Sequence, residues 1–473
     1  MRRRRFLGAG LSLAGAAMVH VRPAKAAAIS RVRPGMPGWP TDADWASLKQ
    51  AVGGRLSPVT QPNFDPAVRK LLSDPFYIGD QPGLTQSSGW LDAWRSLPSA
   101  YVITAESASD VAAAIRFARA HDLRLVVKGG GHSYLGTSNA PDSLLVWTRP
   151  MNAIIVHDAF TPQGSSAAPV PAVSAGAGGI WLHAYQAVTG GAGRYVQGGG
   201  CTTLGVPGLV QGGGFGSFSK AYGTVAASLL EAEIVTADAE TRIVNEAREP
   251  DLFWALKGGG GGTFGVVTRV TLATHELPET FGAVHLALRA RSDDAYRRLL
   301  ARFVEFYATS LCNPHWGEQA IARPDNRLQI RMVFQGLTQD EAHAAWQPLI
   351  DFASANSADY EGQHTLVTPR CRPGISGTPI SSAATLPPPL FSTAGQTLRR
   401  PISGGPATPT RSAPFGTPTL RLGCPPRCSS RKTRRSSWTP GLPPAGIGGS
   451  FWPLTRASPA PPPQRSRPRE TPR

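Results

Sequence analysis

The sequence predicts an α+β chain of two unequal units, on three observations. Short apolar runs with strand character alternate with helical patterns up to Pro278, the connections between them are dense in glycine, and beyond that point amphipathic helices flank a strand with one buried side. In chain order, Ser109 can cap a helix whose apolar face is Val111, Ile115 and Ala118, three or four residues apart. Residues 123–128 then read as a buried strand that ends in Gly129, Gly130 and Gly131. Further strand-like runs fall at Ser143–Trp147, 153–157, 172–175, 230–237 and 264–273, with helical patterns at 179–188 and Pro250–Leu256. In the second unit, residues 292–309 place Leu299, Leu300, Phe303 and Phe306 on one helical face. Leu328, Ile330, Met332 and Phe334 alternate as a half-buried strand, and Thr338 with Glu341 forms a capping box that opens a helix through Ala353. An antiparallel sheet covered by helices, begun near residue 280 and left incomplete, fits that pattern.

Charge separates the middle of the chain from its ends. The 473 residues carry 48 Lys+Arg against 31 Asp+Glu, a net +17 that by itself suggests a nucleic acid or an anionic membrane. Residues 1–26, however, hold six basic groups and no acid, and residues 370–473 hold fifteen Arg, one Lys and one Glu. What remains, 27–369, has 26 basic and 30 acidic groups, a net of −4. No folded basic platform is left, so no nucleic-acid partner is expected. The end segment also holds 22 of the 44 prolines, which argues against a packed domain there, whereas the 343 residues from 27 to 369 suffice for two cores. Five cysteines are too few for a disulfide scaffold, and three of them (Cys371, Cys424, Cys428) lie in that tail.

The first 26 residues read as an address. Arg2 to Arg5, a short apolar run to Val19 and Ala24-Lys25-Ala26 form a basic region, an apolar region and a cleavage site. Arg3-Arg4-x-Phe6-Leu7 resembles the twin-arginine export signal, with a plain secretory signal as the alternative. The expected location is periplasmic or secreted. The apolar run is shorter than the roughly 20 residues a spanning helix needs, and no other segment qualifies, so no membrane span is expected in the mature protein.

The chemistry centres on glycine. Three clusters stand out: Lys128-Gly-Gly-Gly-His132-Ser133; Gly198-Gly-Gly-Cys201 continuing to Gly205 and Gln211-Gly-Gly-Gly-Phe-Gly216; and Lys257 followed by five glycines. Such turns let backbone N–H groups approach a phosphate or a flat ring with no Cβ in the way. A P-loop does not fit, because Lys257 precedes its glycines. A dinucleotide fingerprint does not fit either, because residues 212–216 lack the strand, helix and distant acid it requires. The specific feature is that His132 and Cys201 each follow directly on three glycines. The plain alternatives are a turn histidine bonded to backbone and a small buried cysteine.

Residues 97–278 resemble the FAD-binding domain of the vanillyl-alcohol oxidase superfamily, and most closely its berberine-bridge-enzyme-like oxidases. The resemblance rests on Val127-Lys128-Gly-Gly-Gly-His132-Ser133-Tyr134-x-Gly136-x-Ser138, on Gly200-Cys201-x-x-Leu204-Gly205-Val206-x-Gly208 leading to Gly212 through Gly216, and on Lys220-x-Tyr222-Gly223. It continues through residues 231–238 and 251–258 to Phe264-Gly265-Val266-Val267-Thr268. The resemblance implies a PCMH-type FAD-binding domain of two α+β subdomains, followed by the incomplete substrate domain at 279–369. It implies FAD as cofactor, attached twice: His132 to the flavin 8α-methyl and Cys201 to flavin C6. A neutral imidazole nitrogen and a thiolate suit those two bonds. Gly129, Gly130, Gly131, His132 and Ser133 would cradle the pyrophosphate, and Thr202, Thr203, Leu204, Gly205, Val206, Gly213, Gly265, Val266 and Val267 would line the rest. Two bonds would keep the cofactor in place outside the cytoplasm.

The implied activity is FAD-dependent oxidation of an alcohol, sugar or amine-type small molecule, with hydride passing to flavin and dioxygen as acceptor. The family's base is a Tyr, Glu or Asp of the substrate domain, and no motif marks it here. His183 and Asn313-Pro314-His315-Trp316 are cleft candidates for which surface or packing roles weigh more. No metal site is indicated. Lys128 stands where an arginine is common, Pro207 where a small residue is usual and Ala227 where an acid or amide is frequent. Family members continue for about a hundred residues past this point and close with an Asn-Tyr segment. Residues 370–473 instead read as a disordered basic tail or, the preferred expectation, as the product of a frameshift near 362–372 in a GC-rich gene, which resequencing tests. A chain so altered could also be a non-catalytic remnant of such an oxidase.

Overall fold

A computed structural model describes residues 31–60, 65–86, 97–317, 319–367 and 436–437. The expected export signal lies outside the described residues, as does the Pro/Arg-rich tail apart from Ser436 and Ser437.

The first sheet holds β1 (Leu56–Pro58), β2 (Tyr101–Thr104), β3 (Arg124–Lys128) and β4 (Ser143–Trp147) in the order β1-β2-β4-β3, with β2, β4 and β3 parallel. Helix α1 (Asp42–Ala51) precedes it, short α2 (Pro66–Leu71) and α3 (Pro75–Gly79) follow β1, and α4 (Ala108–Ala120) crosses from β2 to β3. The cap of α4 is Ser107, two residues ahead of the expected Ser109. Ser107 is the last extended residue, and Asp110 reaches back to its backbone N–H, so the capping box fixes the start. The expected face holds: Val111, Ile115 and Ala118 pack with Trp45, Ile103, Leu144 and Val146 in one core.

The second subdomain begins with β5 (Ile154–Phe160) and β6 (Val170–Gly176), after which α5 (Trp181–Tyr185) widens into a π turn at Gln186–Gly191. The two-residue β7 (Arg194–Tyr195), α6 (Val206–Gln211), α7 (Ser219–Tyr222), β8 (Leu229–Val235), β9 (Thr241–Val244), α8 (Pro250–Leu256), β10 (Val266–Ala273) and β11 (His275–Glu276) complete it. Its sheet is antiparallel throughout, in the order β5-β6-β10-β8-β9, and β7 pairs with β11. Trp181, Val188, Val210, Ile234 and Leu272 fill its core.

The third sheet comprises β12 (Phe281–Ala290), β13 (Trp316–Gly317), β14 (Ala320–Arg323), β15 (Arg327–Gln335), β16 (Tyr360–Val367) and β17 (Ser436–Ser437), again antiparallel. Val284 opposes Met332, Leu286 opposes Ile330 and Leu288 opposes Leu328, so with period 2 these side chains share one face. That face packs on α9 (Asp293–Phe306) through Leu299, Phe303 and Phe306, and on α10 (Gln339–Ala355) through Trp346 and Leu349. Each such buried side chain contributes about 1.5–3 kcal/mol relative to exposure. The Thr338 capping box is present at the start of α10, and α9 ends in a second π turn at Tyr307–Leu311. Lys220 Nζ joins this unit to the second subdomain by donating to Leu311 O at 2.7 Å and to the Tyr307 hydroxyl at 3.2 Å. Among the described residues no helix is long and apolar enough to cross a membrane.

Candidate cofactor site

Strand β3 delivers its last residue, Lys128, into the interior and hands the chain to the first glycine run. The Lys128 ammonium is buried and donates to the carbonyls of Gln81 (2.6 Å), Pro82 (3.2 Å) and Leu84. Burial pushes it down to about 7, while the nearby Asp80 charge favours the charged form. Its contacts fix the segment 81–86, whose Gln86 N–H in turn donates to Gly131 O at 2.9 Å. Lysine therefore meets a need for donors at this position without the planar fork of arginine.

The second glycine loop is held by α5. Leu182 N–H donates to Thr202 O at 2.9 Å, Trp181 N–H to Leu204 O at 3.1 Å, and Val206 N–H to Gly179 O at 2.9 Å, so residues 202–206 are pinned along 179–182. The Tyr185 hydroxyl donates to Gly199 O at 2.6 Å, and its pKa is raised by burial and then by the nearby Cys201. The two loops meet backbone to backbone at Gly130 and Gly205. A Cβ on Gly130 would stand 2.7 Å from Gly205 N and 2.9 Å from Thr203 O, so only glycine permits the approach.

At that meeting point the sequence-predicted pair converges. His132 Nε2 lies 3.0 Å from Thr203 Oγ1, and the same oxygen lies 3.7 Å from Cys201 Sγ. Burial lowers His132 to about 4, so its imidazole is neutral at pH 7, and the Cys201 thiol is exposed and free. One neutral ring nitrogen and one accessible sulfur are thus presented on two glycine-rich loops. Gly200 and Gly208 have open space where a side chain would stand, room that a flat ring system can use. Asn139, seven residues beyond His132, has a buried amide with no hydrogen-bond partner among the described residues, and so offers a ligand both a donor and an acceptor. These features fit FAD.

Other candidate residues take different places. The Ser133 hydroxyl accepts from Leu135 N–H and Thr137 N–H, each at 3.2 Å, and shapes a local turn. Gly213 sits at the far end of α6, where its left-handed backbone (φ +86°) passes close to Gly258 and so brings in the third glycine run. Val266 and Val267 send their side chains into the cores of the first and second subdomains respectively, which locks the two together, and Gly265 lies hard against Val235 O. Val266 and Val267 pair with Val235 and Ile234 of β8. His183 is half-buried and lowered by burial and by Arg149. His315 is exposed, with Nδ1 3.0 Å from Gln335 O, and Trp316 is core. Among the described residues no cluster of metal-ligating side chains occurs.

Residues 98–245 match the sequence model of a family described as FAD binding domain. The chain is 37% identical over 275 residues to the FAD-linked oxidoreductase easE of Arthroderma otae, covering 51% of this chain and 45% of that protein. It is 36% identical over 286 residues to the FAD-linked oxidoreductase malF of Malbranchea aurantiaca, covering 52% and 48%. The chain thus spans about half the length of the curated relatives it matches. Among solved structures it is similar to the VAO-type flavoprotein MtVAO615 of Myceliophthora thermophila, at 28% identity and a TM-score of 0.64 over 72% of this chain and 66% of that one. With its glycine loops and its two joined subdomains, the chain is similar to VAO-type flavoproteins and FAD-linked oxidoreductases through an FAD binding domain at residues 98–245, and FAD is its cofactor.

Proposed function

We propose that the protein oxidises a small alcohol, sugar or amine and holds its flavin by two covalent bonds, at His132 and at Cys201. The observation that carries this reading is the convergence of those two side chains on Thr203, from loops that only glycine allows to touch. Bound FAD would supply the acceptor for the substrate's hydride and a route for the electron pair to dioxygen. The chain's part is to hold the cofactor and exclude side reactions. Lys128 keeps the segment 81–86 against the first glycine run, and α5 keeps the second in place. The third sheet, joined through Lys220 and through Tyr222, whose hydroxyl donates to Gln335 Oε1 at 3.3 Å, supplies the substrate side.

Acid precipitation of the purified protein tests this directly. A pellet that stays yellow and fluorescent is expected, with His132→Ala and Cys201→Ala each removing one bond by mass spectrometry. A colourless pellet, with all flavin in the supernatant, rules out covalent attachment, and a preparation that never takes up flavin marks a non-catalytic remnant. Oxygen uptake with a panel of sugars, alcohols and amines then identifies the substrate class.

A further inference from the structure

We propose that Thr203 is a positioning residue that holds His132 and Cys201 in nucleophilic form at the same time, a role that rests on the double-attachment reading above. Its hydroxyl oxygen lies 3.0 Å from His132 Nε2 and 3.7 Å from Cys201 Sγ. A hydroxyl has one proton to donate and lone pairs with which to accept, so it can serve both neighbours only in one direction at a time. In the first arrangement the thiol donates to Thr203 and Thr203 donates to Nε2. The ring proton then sits on Nδ1, and neither the sulfur nor Nδ1 can attack. In the second, Nε2–H donates to Thr203 Oγ1 and Thr203 O–H donates to Cys201 Sγ. The Nδ1 lone pair is then free, and a thiolate, which accepts and cannot donate, is stabilised.

The surroundings permit the second arrangement. Burial keeps the His132 ring neutral, so it carries a single ring proton whose position the hydroxyl can set. Tyr185 does not compete for the sulfur, because its hydroxyl donates to Gly199 O. The backbone on both sides is fixed, with Thr202 O and Leu204 O bonded to α5 and Thr203 O in contact range of Gly130, so only rotation about the Thr203 side chain can move the hydroxyl.

Each attachment replaces an S–H or N–H hydrogen and one flavin C–H hydrogen with a new S–C or N–C bond. Both hydrogens and the electron pair enter the flavin ring system, and dioxygen removes them as hydrogen peroxide. On the histidine side Thr203 accepts from Nε2–H while the Nδ1–C bond forms, which stabilises the positive charge on the ring until that proton passes to the reduced flavin. Thr203 is thus the acceptor for the ring proton at one bond and the thiolate's donor at the other.

The test compares Thr203→Val with Thr203→Ser in the full chain. Before FAD is added, iodoacetamide alkylation of the Cys201 peptide, followed by mass spectrometry across a pH series, should fall about tenfold at pH 7 in the valine variant and stay near wild type in the serine variant. After FAD is added, the valine variant should bind flavin with most of it released by acid, and serine should restore both bonds. Valine that alkylates and attaches like wild type overturns the proposal, as does a folded serine variant that behaves like valine. Should valine fail to fold, by circular dichroism, Thr203→Ala takes its place under the same criteria. Wild-type protein that binds FAD with no covalent bond defeats the double-attachment reading, and the alkylation series still decides whether Thr203 acts on Cys201.

Discussion

His132 is held near pKa 4, against about 6.5 for a free imidazole, and that difference bears on stability. Between those values the unfolded chain binds a proton that the folded chain refuses, so stability falls as pH drops from about 6.5 to about 4 and levels off below. The loss is on the order of 2 kcal/mol. Urea denaturation of the FAD-free protein at pH 7 and pH 4.5 should show it, and His132→Gln should lose less stability over the same interval. Equal losses would mean that another group is responsible. His183, His275 and His285 are also lowered by burial and add to the wild-type slope, so the comparison between the two proteins is what counts. Lys128, lowered to about 7, titrates at the upper end point in both proteins and cancels in that comparison. At this scale His132 and Cys201 were legible because each follows three glycines. Thr203 was legible only as part of a lining, since its place between the two depends on residues 71 positions apart meeting in space.

The glycine loops, α5 and the strands that feed them behave as one element. Gly130→Ala should force the loops apart at Gly205, because its Cβ would meet backbone that cannot yield as a side chain can. A loss of about 1–3 kcal/mol and of tight flavin binding is expected, read by thermal melting and by titration with FAD. Unchanged flavin affinity would show that the loops can separate without consequence. The sequence located elements where the pattern was strong: Ser143–Trp147 and Pro250–Leu256 agree to the residue, and the alternation of Leu328, Ile330, Met332 and Phe334 marked the buried face of β15. It did not resolve α1, α2 and α3 within residues 27–96, where the helices are short and carry few buried residues. Nor did it show the two π turns, which depend on where tertiary packing holds the last turn of a helix rather than on local periodicity. Both turns matter here: they follow directly on Tyr185 and begin at Tyr307, the tyrosines that reach Gly199 O and Lys220.

For the whole molecule, the globular part runs through three sheets, and the match to an FAD binding domain takes in β2 to β9 of the first two. His132 leaves the first sheet at β3, whereas Cys201 belongs to the second subdomain, between α5 and α6. A cofactor bonded to both is therefore more than a prosthetic group. It is a crosslink that closes a ring of about 70 residues and removes loop entropy from the unfolded chain much as a disulfide of that span does, roughly 4 kcal/mol. The doubly attached protein should melt several degrees above the Cys201→Ala form that keeps one bond, even where both bind flavin equally well. In a chain whose described thiols are both unpaired, the cofactor itself would then be the covalent brace between the two halves of its own binding domain.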